Sequence, residues 1–316
     1  MSTVTRAADT VLDRTLLGYG NIGYLLRRTW WPEDPAPDAL AGKVAVVTGA
    51  KAGLGKATAI GLAKLGATVR IAIRGDGDAA RAEIERAVPG SRIIADHCDV
   101  SLISSVRDYV KNLDGEVDVL VHNAGVMPAE RTETAEGNEL MLATHVLGPH
   151  LLTASLRPKF ADGARVIWVS SGGMYGQPLR ADDLQYRRDE YKPAAGYART
   201  KRMQVVLAEL WADRLDGSGI TVHSAHPGWA DTPGVATSLP TFRKLTGPLL
   251  RNPEQGADTF VWLAAAAEPG RYNGMFWHDR VQRPTHYLGK TRETAAQRQE
   301  LWQACERLTG ARTDRP

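Results

Sequence analysis

A short apolar run, Lys43-Val44-Ala45-Val46-Val47-Thr48, breaks into a glycine-bearing turn, Gly49-Ala50-Lys51-Ala52-Gly53-Leu54-Gly55, and Ala and Leu then recur at helical spacing as far as Leu65. A strand, a tight turn and a helix in that order form half of a βαβ unit. The pattern repeats along the chain. Strands are expected near residues 43–48, 68–73, 92–97, 117–122, 165–170, 219–224 and 273–277, and helices near 53–65, 78–88, 102–113, 136–160, 195–216 and 254–267. Alternation of this kind predicts an α/β fold, a doubly wound parallel sheet of about seven strands with helices on both faces. Ligands of such sheets bind beyond the carboxyl ends of the strands. Free N–H groups at a helix start face a phosphate there, and glycines let the backbone approach it, so Gly49, Lys51, Gly53, Leu54 and Gly55 are candidates for holding a dinucleotide pyrophosphate.

A second motif, Tyr197-Ala198-Arg199-Thr200-Lys201, lies on the predicted helix over 195–216. Residues four apart share a helix face, so Tyr197 and Lys201 point into one cavity. A phenol titrates near 10 and is a poor base at neutral pH, but a neighbouring ammonium and an oxidised nicotinamide both favour the phenolate. The strand Arg165-Val166-Ile167-Trp168-Val169 delivers Ser170 and Ser171 to the same end of the sheet, where a hydroxyl can orient a substrate oxygen. A loop that cradles a dinucleotide and a tyrosine that moves a proton together describe hydride transfer coupled to proton transfer at an oxygen.

The spacing Thr-Gly-x-x-x-Gly-x-Gly resembles the cofactor loop of the short-chain dehydrogenases/reductases. Further matches follow in that family's order: Asp99-Val100, Asn123-Ala124-Gly125, Val169-Ser170-Ser171, Tyr197 with Lys201, and His226-Pro227-Gly228. Ser171-Gly172-Gly173-Met174, the run Gly228 to Val235, Gln255-Gly256-Ala257-Asp258-Thr259 and Pro284-Thr285-His286 resemble its retinol-dehydrogenase-like members. The resemblance implies an oxidoreductase interconverting an alcohol and a carbonyl. Tyr197 is then the acid/base, Lys201 lowers its pKa and binds the nicotinamide ribose, and Ser171, the second serine, orients the substrate oxygen. Asp99 and Val100 border the adenine; Asn123, Ala124 and Gly125 line the cofactor; Pro227, Gly228 and Thr232 edge the nicotinamide.

The chain departs from that pattern at His145, where the family's relay asparagine is expected, and at His122, which replaces the first asparagine of an Asn-Asn-Ala-Gly run. A histidine keeps the backbone carbonyl that the relay uses. Its imidazole, ordinarily near 6.5, is a candidate titrating member of the catalytic set. It is also the one feature favouring the alternative of a catalytically weak, NAD(P)-binding regulatory protein. The second strand ends in Arg74 where an acidic residue would bind a ribose hydroxyl, so NADP(H) is favoured over NAD(H), with Asp76 two residues on as the competing group.

With 316 residues and 43% apolar content the chain can bury one large core, read as a catalytic domain over 42–290 with an N-terminal extension, 1–41, and a C-terminal helical tail, 291–316. Basic and acidic residues number 39 and 36, which points away from nucleic acid. Cys98 and Cys305 stand alone, without metal-ligand company, so no metal site is expected. No run reaches the roughly 18 apolar residues of a membrane span, so the expected address is cytoplasmic, with membrane association as the alternative that the N-terminal extension leaves open. Residues 8–31 mix Leu, Tyr and Trp with Arg and predict either peripheral membrane contact or packing on the domain or a partner subunit, although Gly18, Gly20 and Gly23 weaken one long helix. The resemblance implies a homodimer or homotetramer. Met174, Tyr175, Leu179, Leu184, Tyr186 and Tyr191, then Trp229, Val235, Leu239, Phe242, Leu245, Leu249 and Leu250, either line a pocket for a small-molecule, lipophilic substrate or pack the lid over it.

Overall fold

The computed structural model describes residues 3–231, 244 and 246–313. Seven apolar runs pair in parallel: β1 (Val44–Thr48), β2 (Thr68–Ile73), β3 (Ile93–His97), β4 (Val117–His122), β5 (Phe160–Val169), β6 (Thr221–Ala225) and β7 (Phe276–His278). An eighth, β8 (Val281–Arg283), adds antiparallel to β7, giving the order β3-β2-β1-β4-β5-β6-β7-β8. Strand order reverses between β1 and β4, and the crevice there is where a doubly wound sheet binds its ligand. The central strands read as continuous apolar runs because helices bury both of their faces.

One face carries α3 (Gly53–Lys64), α4 (Asp78–Ala87) and α9 (Pro253–Ala265), and its core includes Leu62, Ile71, Phe260 and Trp262. The other carries α5 (Ile103–Asn112), α7 (Gly148–Leu156) and α8 (Pro193–Arg214), with Leu152, Trp168, Val206 and Trp211 inside. The segment expected as one helix over 136–160 is shorter and interrupted. The Glu139 carboxylate accepts the Met141 and Leu142 N–H groups and starts α6 (Leu140–Leu142), a π turn follows over Ala143–Leu147, and α7 completes the rod. Strand β5 therefore begins at Phe160 rather than near 165.

The hairpin joining β7 to β8 turns on Asp279 and Arg280, both with positive φ (51° and 58°). Asp is a usual choice at the first of these positions but Arg is not at the second, where glycine is the common signal, and β8 is only three residues long, so the eighth strand escaped the sequence pattern.

The N-terminal extension packs on the domain. It folds as α1 (Thr3–Asp13), a 3-10 turn (Leu16–Tyr19) and α2 (Asn21–Arg28). A Cβ on Gly18 would sit 1.9 Å from the Leu12 carbonyl oxygen, so a glycine there permits the crossing. Buried Arg27 binds Asp9 (2.7 Å) and Asp279 (2.8 Å), Arg283 binds Asp9 (2.6 Å), and Arg251 binds Asp279 (2.6 Å). The ion pairs thus fasten α1 and α2 to the β7–β8 hairpin. At the other end, α10 (Ala295–Thr309) lies against α7 and α8, with Trp302 on Trp211 (5.0 Å) and His150 (4.8 Å).

Candidate active site

Asn123 ties the glycine loop to the sheet. Its side-chain amide donates to the carbonyls of Thr48 (2.9 Å) and Gly49 (3.3 Å), while the Thr48 hydroxyl accepts the N–H groups of Asn123 (3.0 Å) and Ala124 (3.1 Å). Gly49 turns with φ 68°, and a Cβ there would lie 2.7 Å from Ala124 Cα; one on Gly55 would lie 2.4 Å from the Asn123 amide nitrogen. A side chain at position 49 would force the ends of β1 and β4 apart, and one at position 55 would push α3 off the loop and the Asn123 amide. Ala52, at the start of α3, makes no side-chain cap bond, so the first N–H groups of the helix have no side-chain acceptor. That cradle fits a dinucleotide pyrophosphate.

Arg74, at the end of β2, is exposed, whereas Asp76 Oδ1 already accepts the Asp78 N–H (2.9 Å). Lys51 is exposed on the loop. Asp99 accepts both the N–H and the hydroxyl of Ser101, and Val100 is buried beside Gly148, whose missing Cβ would sit 1.8 Å from the Val100 carbonyl oxygen. Gly125 lies beside the His145 ring, and Gly228 has φ 74°. Thr232, like Val235, Leu239, Phe242 and Leu245, lies outside the described residues.

Ser171, Tyr197 and Lys201 come together beyond β5. The two serines divide the work. Ser170 donates to the Lys201 carbonyl (2.8 Å) and is buried, while the Ser171 hydroxyl accepts the Gly173 N–H (3.3 Å) and is close enough to Tyr197 to pull its pKa back. Lys201 Nζ donates to the Val169 carbonyl (2.8 Å) and sits 5.3 Å from the centre of the Tyr197 ring. Burial pushes the tyrosine up to about 12, with only Ser171 pulling it back, and pushes the lysine down to about 7. In the chain by itself both groups are desolvated, and burial outweighs any lowering of Tyr197 by Lys201. Tyr197 stands as a protonated phenol.

His145, expected as a titrating group, is held neutral. Its Nε2 accepts the Val126 N–H (3.0 Å), so the proton resides on Nδ1, which donates to the Thr200 hydroxyl (2.7 Å); Thr200 in turn donates to the Tyr197 carbonyl (2.9 Å). Burial, then the Lys201 charge, holds the imidazole well below its usual range. The ring meets the Tyr197 ring edge-on at 5.4 Å. His145 thus supports the tyrosine from the π turn, where the Gly148 N–H reaches back five residues to the Ala143 carbonyl. His122 is also buried, bonded to Thr153 (2.7 Å), and pushed down to about 3.

Thr48, Thr200 and Arg251 are site supports that motif reading missed. Thr48 carried a signal, standing immediately before Gly49. Thr200 lies inside the Tyr-x-x-x-Lys motif but shows its role only through His145. Arg251 gives no sequence signal; its guanidinium donates to the carbonyls of Pro227, Gly18 and Gly20, each at 3.1 Å. Other motif residues are explained by packing. A Cβ on Gly256 would press within 2.5 Å of Leu54, Asp258 forms a two-bond pair with Arg280, and the Pro284 and Thr285 carbonyls accept from Tyr175 and Arg202. Met174, Leu179 and Tyr186 are buried, so they pack the connection between β5 and α8.

A separate cleft of about 400 Å³, lined by residues including Arg70, Asp96 and Tyr109, holds none of the site residues. Among the described residues there is no cluster of three metal-ligating side chains and no helix long and apolar enough to cross a membrane. Cys98 and Cys305 are buried free thiols, pushed up by desolvation.

The doubly wound sheet, the glycine cradle and the serine–tyrosine–lysine group define a nicotinamide-dependent oxidoreductase acting on CH–OH groups. The chain belongs to the short chain dehydrogenase family, whose profile matches residues 43–241. It is 41% identical over 288 residues to bovine (Bos taurus) dehydrogenase/reductase SDR family member 12, covering 87% of this chain and 90% of that one. Human retinol dehydrogenase 13 is 32% identical over 291 residues, covering 87% of each. Among solved structures, the angucycline C-6 ketoreductase LanV with bound NADP superposes with a TM-score of 0.64 at 26% identity, covering 78% of this chain and 97% of that one.

Proposed function

We propose that this protein is an NADP(H)-dependent oxidoreductase that interconverts a lipophilic alcohol and its carbonyl compound. The observation that carries this reading is the meeting of Ser171, Tyr197 and Lys201 beyond β5, with Lys201 Nζ 5.3 Å from the centre of the Tyr197 ring and the phenol kept protonated by burial. A phenol in that state is a proton donor. When bound, the nicotinamide supplies the hydride. Ser171 and Tyr197 grip the substrate oxygen, and Tyr197 gives it the proton. Lys201, at about 7, is partly protonated near neutrality and can exchange a proton beside Tyr197. His145 fixes the tyrosine in place, and its contacts lend no support to a binding-only protein.

Gly49, Lys51, Gly53, Leu54 and Gly55 would hold the pyrophosphate; Asp99 and Val100 the adenine side; Asn123, Ala124 and Gly125 the middle; and Pro227, Gly228 and Thr232 the nicotinamide edge. Free Arg74 beside an engaged Asp76 suits a 2′-phosphate, hence NADP(H) over NAD(H). The retinol-oxidising relative supports a lipophilic substrate. The N-terminal extension exposes Val11, Leu17, Ile22, Leu25 and Leu26 beside exposed Arg14 and Arg28, which favours a cytoplasmic protein in peripheral contact with a lipid surface. Because α10 covers α7 and α8, a homodimer or homotetramer through those helices would need α10 displaced, and we read that face as monomeric.

Titration with NADPH and NADH, followed by nicotinamide fluorescence, tests the cofactor. NADPH is expected to bind more tightly, and Arg74→Asp to erase the preference. Turnover is then compared between retinal and glyceraldehyde. Binding of neither nucleotide, or turnover of glyceraldehyde alone, would end this reading.

A further inference from the structure

The short chain dehydrogenase profile begins at residue 43, yet a side chain from before it stands between two loops of the site. Tyr19, half-buried at the end of the 3-10 turn, stacks on His226 (5.2 Å between ring centres) and on His278 (5.3 Å). Its ring edge lies 3.2 Å from where a Cβ on Gly172 would be, directly after Ser171. Its carbonyl accepts the Trp229 N–H (2.7 Å) and lies 2.6 Å from where a Cβ on Gly228 would be. Tyr19 therefore touches the loop leaving β5, which carries Ser171, and the loop leaving β6, which carries Pro227 and Gly228.

The contact is fixed from both ends. Arg251 bonds the carbonyls of Gly18 and Gly20, on either side of Tyr19, and the carbonyl of Pro227 with the same guanidinium. A side chain at position 172 would press the ring by a few tenths of an ångström, and one at position 228 would meet the Arg251 guanidinium and the Tyr19 carbonyl; both positions are glycine. The tyrosine hydroxyl makes only a long bond, 3.4 Å, to the Asp13 carbonyl, so the ring rather than the phenol oxygen does the spacing.

We propose that Tyr19 is a positioning residue of the active site: its ring sets the separation between the Ser171–Gly172 loop and the Pro227–Gly228 loop, so that the N-terminal extension completes the nicotinamide end of the pocket. This rests on the cofactor reading above. The expected effect is on nucleotide affinity and on the chemical step together, since both loops move when the ring is lost, and a misplacement of about 1 Å can cost 10²-fold in rate.

The test uses the full chain and four variants: Tyr19→Phe, Tyr19→Leu, Gly172→Ala and the double variant Tyr19→Leu with Gly172→Ala. NADPH affinity is read by nicotinamide fluorescence, retinal reduction by kcat and KM separately, and folding by thermal melting. Tyr19→Phe should match the parent in all three. Tyr19→Leu and Gly172→Ala should each weaken NADPH by about fivefold or more and lower kcat by about tenfold or more, with KM for retinal changing less than kcat. The double variant should be no worse than either single one, because the added methyl then meets no ring. NADPH binding at parental strength in Tyr19→Leu overturns the proposal even if its melting temperature falls, since that is the signature of a purely structural residue. Additive losses in the double variant also overturn it. If the parent binds no nucleotide, the cofactor reading fails and this inference with it; if it binds NADPH but leaves retinal untouched, the affinity arm decides alone.

Discussion

Two groups of buried ionisable side chains lie near the carboxyl end of this sheet, and they are built on opposite rules. Around Asp279, three arginines (Arg27, Arg251 and Arg283) meet three aspartates (Asp9, Asp13 and Asp279), every one of them buried. Burial alone would push Asp279 and Asp9 up, but the arginines beside each hold both carboxyls below their usual range. Around Tyr197, Lys201 is buried against a neutral carbonyl and a phenol, and burial moves it down to about 7. Pairing preserves charge and spends it on holding segments together. Burial without a counter-ion gives up the charge and leaves a group that titrates near neutrality, which suits proton transfer.

The comparison can be broken at either end. The largest effect is expected from Tyr197→Phe, which removes the proton donor. Turnover should fall by about 10²- to 10⁴-fold with NADPH binding and melting temperature retained; steady-state kinetics beside a fluorescence titration check this, and retained turnover would remove Tyr197 from the chemistry. In the paired cluster, Asp279→Ala leaves Arg27 and Arg251 buried without their shared partner and should cost about 3–5 kcal/mol in denaturant unfolding. Limited proteolysis should then cut within residues 3–31, and an unchanged stability would mean the arginines have other acceptors.

Lys201→Met sharpens the contrast through pH. The lysine's folded pKa, about 7, lies below its ordinary 10.5, so the fold binds fewer protons than the unfolded chain between those values. Its contribution is fully favourable above 10.5 and is lost as pH falls toward 7. The variant should therefore gain stability relative to the parent as pH is lowered across that window, by at most about 1.4 kcal/mol per unit. Melting curves at several pH values measure this, and a gap that does not change with pH would show that Lys201 keeps its charge in the fold. The smallest effect belongs to an ion pair at the surface. Asp34 is 79% exposed where it meets Arg280, so Asp34→Ala should cost less than about 1 kcal/mol in denaturant unfolding, and a loss as large as that of Asp279→Ala would mean that pairing at this hairpin acts regardless of burial.

Much of the site was legible in the residues. The glycine loop, Asn123 and Ser171 announce themselves because each follows a strand end within a few residues, and Tyr197 with Lys201 because their four-residue spacing puts both on one helix face. His145 was visible as a departure, but the meaning of the departure was not. Whether an imidazole titrates depends on which atoms face its two nitrogens, and those belong to Val126 and Thr200, one on another loop and one on another helix. Gly18 and Gly23 argued against a single N-terminal helix. They did not show that the chain folds back with Gly18 and Gly23 in contact, or that Tyr19 lands between two site loops.

The order of strands and helices, the place of the cofactor loop and the shared face of Tyr197 and Lys201 follow from the sequence by itself, because hydrophobic periodicity and helical spacing are local properties. The tertiary structure alone decided the protonation of the site and the place of the N-terminal extension. A pKa is set by desolvation and by neighbours brought from far along the chain, and the docking of residues 3–31 depends on ion pairs such as Arg27–Asp279, whose members stand 252 positions apart and acquire their strength only when burial excludes water.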